Sequence, residues 1–370
     1  MFEIRGAYAA ASVFSDTAEE YAVNQVRAVC DNLVSKGSHI AVMPDIHPGK
    51  TAPVGFTMTL GDRIMPELIG TDIGCGVSYI KLNPTRVEYQ RLDTVIRENV
   101  PTGSSNRARA HKLSADFDVS DLLCSNHIDA QRAYLSLGTL GGGNHFIELD
   151  EDDEENIYII VHSGSRYLGS AVTAHYMREG QRKLKSKGIT VPYELTYLEG
   201  QLMEDYISDI GIVQGFAMLN RELILYELEK KLKLKPVKYG ESIHNYVDEN
   251  RILRKGAVSA YEGDMVIIPV NMRDGVILGT GKGNSQWNYS APHGAGRVLS
   301  RKAVLKAHTL SEFKSSVSGI HSVTVCSETL DEAPFAYRGI DEIVQAVKDT
   351  VEINRILKPL YNYRGTVERR

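Results

Sequence analysis

Cysteine is scarce in this chain: four in 370 residues, Cys30, Cys75, Cys124 and Cys326, with no CxxC pair among them. That excludes a disulfide-stapled scaffold and suits a reducing compartment, where a single cysteine is a buried thiol, a nucleophile or a metal ligand. No apolar run approaches the roughly eighteen residues a membrane-spanning helix needs. The opening MFEIRGAYAA lacks the apolar stretch and cleavage site of a secretory signal, so the expected location is the cytoplasm. There is no 20–50-residue repeat, low-complexity tract or Pro/Ser-rich linker. Neither charge sign dominates: 42 Lys+Arg against 47 Asp+Glu leave a net −5, and a pI near 6.1 excludes a uniformly basic nucleic-acid coat while leaving local basic patches open.

The composition is that of an ordinary globular protein, 42% hydrophobic and 24% charged. Length alone allows about two domains or one large one. Helical spacing follows Ser15-Asp16 (Ala18, Tyr21, Ala22, Val26, Val29), and the longest helical pattern runs from about Glu199 to Leu234, with Gly211 and Gly215 as candidate breaks. A last helix is expected through Ile340, Ile343, Val344, Val347 and Val351, stopped by Pro359. Residues 40–77 and 237–290 read as short strands and Gly-rich turns, and the acidic run from Asp150 to Glu155 as a solvated loop between two strands. Strands and helices mix without regular alternation, so the expected class is α+β. The chemistry-bearing residues are scattered from 45 to 364, which favours one interwoven domain.

Five of the eleven histidines end apolar stretches and enter Gly- or Asn-rich turns: His47, His145, His162, His244 and His293. Such strand ends are where rigid scaffolds present ligands and catalytic groups. His39, His111, His127, His175, His308 and His321 lack that context and are expected to be structural. In Gly70-Thr-Asp72-Ile-Gly-Cys75-Gly a carboxylate and a thiol stand three residues apart in a glycine-flanked turn. With several imidazoles they make a mixed O/S/N set, suited to Mn²⁺, Zn²⁺ or Fe²⁺ rather than to Ca²⁺ or Mg²⁺. A single thiolate among imidazoles can also bridge two ions.

The stretch from Ser136 to Leu149 carries glycines at 138, 141, 142 and 143, then Asn144, His145 and Glu148. Its backbone N–H groups can approach phosphate oxygens, although no GK[ST] follows to make a Walker loop. His293-Gly-Ala-Gly-Arg297, trailed by Arg301, sets an imidazole beside glycines that admit a phosphate and arginines that offset its charge. Arg166, with Arg107 and Arg109, is a further candidate for phosphate or RNA contact. Lys183, Lys185, Lys187, Lys230, Lys231, Lys233, Lys235 and Lys238 either face RNA or line solvated helix faces.

Taken in order, MPDIHPGK, IGTDIGCGV, GTLGGGNHFIEL, VHSGSR, the His244-Asn245 pair and APHGAGRVLSR resemble the RtcB family of GTP-dependent RNA ligases, and EAPFAYRGIDEIV…LKPLYNYRG resembles that family's C-terminal segment. The resemblance implies one domain over residues 1–370, with mixed β-sheets and flanking helices around a cleft for two Mn²⁺ ions. It implies that a 3′-phosphate or 2′,3′-cyclic phosphate RNA end is joined to a 5′-hydroxyl end, in RNA repair or tRNA splicing, through a histidine–GMP intermediate.

By the same resemblance Cys75 bridges the ions, Asp72 and His162 complete one, and His145 and His244 the other. His293 is the nucleophile, Asp45 orients it and Arg297 assists. Asn144, His145, Phe146, Ile147, Glu148, His244, Asn245, Pro269, Val270, Asn271, Met272, His293, Gly294, Ala295, Gly296 and Arg364 hold the nucleotide, with Arg166 and Arg301 on RNA or phosphate. Implied partners are GTP, RNA with broken ends and an archease-like activator. Two departures touch the nucleotide side: Pro269-Val-Asn-Met272 stands where the family has Pro-Gly-Ser-Met, and Arg364, ahead of a TVERR extension, where it has lysine. Those departures motivate one alternative, a dinuclear phosphoesterase opening cyclic phosphates without a nucleotide; a third reading, a non-catalytic RNA-end sensor, is disfavoured because every proposed ligand and the nucleophile are present.

Overall fold

Two sheets organise the chain. The computed structural model describes residues 1–365, so the TVERR extension lies outside the described residues. The six-stranded sheet runs, edge to edge, Phe2–Arg5, Ala10–Val13, Ile40–His47, Val54–Thr59, Ile252–Lys255, Asn245–Val247. The seven-stranded sheet runs Lys238–Ile243, Gly76–Leu82, Ile157–Ser163, Phe146–Glu151, Val351–Arg364, Gly275–Gly281, Met265–Asn271. A two-stranded ribbon pairs Ala257–Ser259 with Ser290–Pro292. With helices packed against these sheets, the class is α+β, as expected.

The period-2 alternation of the larger sheet separates its faces. Ile80, Leu82, Ile147, Leu149, Ile159, Val161, Tyr361 and Tyr363 form one buried cluster, with Leu92, Val95 and Ile96 of helix Tyr89–Asn99 and Ile224, Leu225 and Leu228 of helix Gln201–Leu232. Val77, Tyr79, Phe146, Tyr158 and Ile160 point the other way, against Ile267, Val276 and Leu357.

The helix Gln201–Leu232 is 32 residues long, about 48 Å at 1.5 Å per residue. Its first half buries Met203, Tyr206, Ile210, Val213 and Phe216 in the core beneath the smaller sheet, and its second half serves the larger one. Gly211 and Gly215 do not break it, because the packing of both halves outweighs glycine's cost of about 1 kcal/mol each.

Two other local expectations fail for tertiary reasons. The last helix stops at Ala346, and Val351 opens a 14-residue strand in which Pro359 sits at a register irregularity rather than at a helix stop. The acidic run is not simply solvated. Asp150 is fully buried in its strand, and Asp152 is buried under hydrogen bonds from Asn156 and Tyr158 and an ion pair with Arg355.

Candidate metal centre

Four adjacent strands of the larger sheet deliver their ends to one place. In sheet order, His244 follows Lys238–Ile243, Cys75 precedes Gly76–Leu82, His162 lies near the end of Ile157–Ser163, and His145 precedes Phe146–Glu151. The strands are antiparallel, and register pairs Ile243 with Gly76, Gly76 with Ser163, and Phe146 with His162, so these ends coincide. Asp72 joins them from the turn before Cys75. Gly164 makes room for it: a Cβ there would lie 2.0 Å from Asp72 Oδ1.

The four strand-end residues are buried. Cys75 Sγ lies 3.3 Å from His162 Nε2 and 3.5 Å from His145 Nε2, and His145 Nε2 lies 3.3 Å from Asp72 Oδ2. Such spacings suit ligands that each sit roughly 2.0–2.3 Å from a common ion. Two triads fit an ion, Cys75/His162/His244 and Asp72/Cys75/His145, each with its donor atoms within 4.8 Å of one another. Cys75 belongs to both. The grouping differs from the expectation above: Asp72 stands with His145, and His162 with His244, because Asp72 reaches the cluster from the His145 side.

Backbone carbonyls orient the rings, Leu140 O on His145 Nδ1 at 2.8 Å and Asn144 O on His162 Nδ1 at 3.2 Å. Each carbonyl accepts a hydrogen bond from Nδ1–H and leaves Nε2 with its lone pair free for a metal. Burial pushes the Cys75 thiol up, helped by the Asp72 carboxylate. Burial and neighbouring imidazoles pull His162 and His244 well down, so both are neutral. Burial opposes ionisation of Asp72, but His145 beside it outweighs that and holds the carboxyl well below the usual range. A soft thiol, imidazoles and a carboxylate converging on these strand ends are the donor set of transition-metal ions.

His293 follows strand Ser290–Pro292, its ring 4.7 Å from that of His244. Its Nδ1 is 2.7 Å from Oδ2 of fully buried Asp45, on strand Ile40–His47 of the other sheet. His47 folds back on the same turn, its Nδ1 bonded to Asp45 O, and burial lowers it to about 4.

A pocket opens beside these rings. Asn144, Phe146, Glu148, Pro269, Val270, Asn271, His293, Gly294, Ala295, Gly296, Arg297, Arg301 and Arg364 line it, together with His47, His162 and Tyr337. Ile147 and Met272 do not reach it. Alternation puts Ile147 on the helix side of the sheet, and Met272 packs with Phe313. Asn245 braces instead, donating to Asp72 O and accepting from Gly256 N. Arg297 spends its donors on Leu299 O, Asp331 O, Glu332 and Tyr337, and Arg301 pairs with Asp331 and Glu332. Arg364 donates to Asn144 O, stands over the Phe146 ring at 5.0 Å and lies 3.8 Å from Glu332.

Arg166 and Arg107 support the glycine loop rather than the pocket. Arg166 donates to Thr139 Oγ1 and Gly103 O, and Arg107 to the carbonyls of Asn99, Leu137 and Gly138. Arg109 is exposed. The six histidines expected to be structural lie outside both triads; His39 bonds Asn288, His111 bonds Glu227, and His321 stacks on Tyr361.

Asn220 and Arg221 were not legible as site residues. Both are fully buried on the long helix. Arg221 donates to Gly74 O, Ser163 O, Ser78 Oγ and Glu241, and Asn220 to Thr139 O, Ser163 Oγ and Gly164 O. They tie together the three segments that carry Cys75, His162 and the glycine loop. The available signal was two adjacent polar residues inside an apolar helical stripe.

The family model described as "tRNA-splicing ligase RtcB" matches residues 25–126 and 119–365. The chain is 30% identical to RNA-splicing ligase RtcB1 of Escherichia coli strain ATCC 25922 and 30% identical to RNA-splicing ligase RtcB of strain K12, in each case over 88% of this chain and 90% of the relative. It is 28% identical to tRNA-splicing ligase RtcB of Nanoarchaeum equitans, covering 84% of each.

Proposed function

The chain belongs to the RtcB family, and from that premise we propose that it is an RNA ligase that activates a 3′-phosphate end with GTP and joins it to a 5′-hydroxyl end. One observation carries the reading: a thiol common to two ligand triads lies beside an imidazole that is oriented by a buried carboxylate and opens on a pocket.

Asp72, Cys75 and His145 would hold one ion and Cys75, His162 and His244 a second, with Mn²⁺ the ion proposed. When bound, the metal supplies Lewis-acid polarisation of phosphoryl oxygens. Asp45 accepts a hydrogen bond from His293 Nδ1–H, which leaves the Nε2 lone pair free for the pocket. His293 Nε2 then attacks the α-phosphorus of GTP, pyrophosphate leaves, and a phosphoramidate to GMP remains. The RNA 3′-phosphate takes the GMP from His293, and the 5′-hydroxyl displaces it. Glycines 294 and 296 leave room for the phosphate. Phe146 offers a face to the base, and Glu148 and Arg364 offer an acceptor and a donor to its edge. A 2′,3′-cyclic end is first opened to a 3′-phosphate.

Incubation with α-labelled GTP and Mn²⁺ should leave acid-labile label on His293 and none on a His293→Ala variant. Absence of an adduct with GTP, ATP, CTP and UTP alike would sink the reading. A second reading, a dinuclear phosphoesterase opening cyclic phosphates without a nucleotide, is favoured by the engagement of Asn271 with Asp274 and of Arg364 with Asn144. Opening that persists in His293→Ala, with no ligation by the wild type, would select it.

A further inference from the structure

Glu148 and Asp150 stand two residues apart on the pocket-side face of strand Phe146–Glu151, within hydrogen-bonding reach of each other. Asp150 is fully buried, and neither of its carboxyl oxygens has a hydrogen-bond donor among the described residues; Glu148 Oε1 lacks one too. The neighbours offer nothing to Asp150. Register puts it opposite Pro359, which has no N–H, and opposite Tyr158, whose hydroxyl is committed to Asp152. The surroundings on this face are Ile160, Ile267, Val276 and Leu357. Lys81 and Arg355 are turned to Asp152, and Asn362 donates its amide to Glu148. Arg364 acts on the pair from the Glu148 side.

Two ionised carboxylates are acceptors only, so facing each other out of water they repel and leave their oxygens unpaired. A single proton removes both penalties. We propose that Asp150 is a positioning residue held as a neutral carboxylic acid, which donates its O–H to Glu148 and so keeps Glu148 an ionised acceptor for the N–H edge of a bound purine. The inference rests on the reading that the pocket takes a nucleotide. Charge placement supports it: Arg364 stabilises an anion on Glu148, whereas the anion already on Glu148 opposes a second on Asp150.

The test measures GTP binding to the Mn²⁺-loaded protein across pH 5.5–8.5 for wild type, Asp150→Asn and Asp150→Leu, with inorganic tripolyphosphate as a base-free control. An amide N–H can replace the acid O–H, so Asp150→Asn should keep both affinity and pH midpoint. Asp150→Leu removes the donor; its midpoint should rise by about one unit, so its GTP affinity should fall by up to about tenfold below the wild-type midpoint and converge on wild type toward pH 8.5, with tripolyphosphate unaffected. Equal losses in the two variants, or no change in either, would overturn the proposal. Infrared difference spectra give a second readout: wild type at pH 8 should show the carbonyl band of a protonated carboxyl, and Asp150→Asn should lose it. If the wild type binds no GTP at any pH, the nucleotide reading fails, while the infrared band still decides whether Asp150 holds a proton.

Discussion

The two faces of the seven-stranded sheet are built from the same strands and do opposite work. Toward the helices every second residue is aliphatic or aromatic: Ile147 and Leu149, Ile159 and Val161, Tyr361 and Tyr363. Toward the pocket the residues in between are Phe146, Glu148 and Asp150, Tyr158, Ile160 and His162, Asn362 and Arg364. The helix face gains free energy by burial. The pocket face spends some of it, holding neutral imidazoles, a thiol and facing carboxyls where water cannot reach them. A strand's alternation lets one segment do both, since a substitution on one face leaves the other in register.

Cys75→Ala separates the faces most sharply. End joining should fall on the order of a thousandfold, about 4 kcal/mol of barrier, while the melting temperature of the metal-free protein moves only a few degrees. A loss of stability matching the loss of activity would deny the separation. Ile159→Ala is the converse. It should cost about 2–5 kcal/mol in denaturant unfolding and leave the rate of His293 labelling unchanged below the transition.

Asp45→Asn has a smaller effect. The amide can donate to Nδ1 and stabilise the wrong tautomer, so guanylylation should drop about 10–100-fold, with metal content by mass spectrometry unchanged.

The least effect is expected from pH. Burial raises Glu148 to about 7, and burial together with Glu148 raises Asp150 well above its ordinary 3.8. The folded state therefore binds more protons than the unfolded one, and the pair's contribution to stability is lost as pH rises from near 4 through about 7 and beyond. Asp150→Asn should flatten that decline by about 1–3 kcal/mol, read from melting temperatures between pH 5 and 8.5. An identical slope in the variant would mean that Asp150 does not titrate differently on unfolding.

Much of this was legible in the chain because the relevant signals are local. Glycine-flanked turns around Asp72, Cys75, His145 and His293 mark strand ends, and the apolar stripe from Glu199 to Leu234 marks the long helix. The six remaining histidines lacked that setting and lie outside the triads. Where local signals misled, a partner distant in sequence had decided. Pro359 reads as a stop but lies in a strand, where its missing N–H is tolerated at an irregular pair. The run from Asp150 to Glu155 reads as solvent-facing, yet its first two residues belong to a strand and its third is claimed by Arg355, about two hundred residues away.

From the sequence alone came the inventory: which side chains are able to bind an ion, attack a phosphorus atom or admit a phosphate, and that they sit in turns between strands. Those properties belong to single residues and to spacings of a few positions, so no fold is needed to read them. The tertiary structure decided the partnerships. It put Asp72 with His145, made Cys75 common to both triads, brought Asp45 from the other sheet onto His293, and set Asn220 and Arg221 beneath the turn that carries Asp72 and Cys75. Strand register across four hydrogen-bonded neighbours determines those distances, and register depends on pairings and packing that no short window of residues contains.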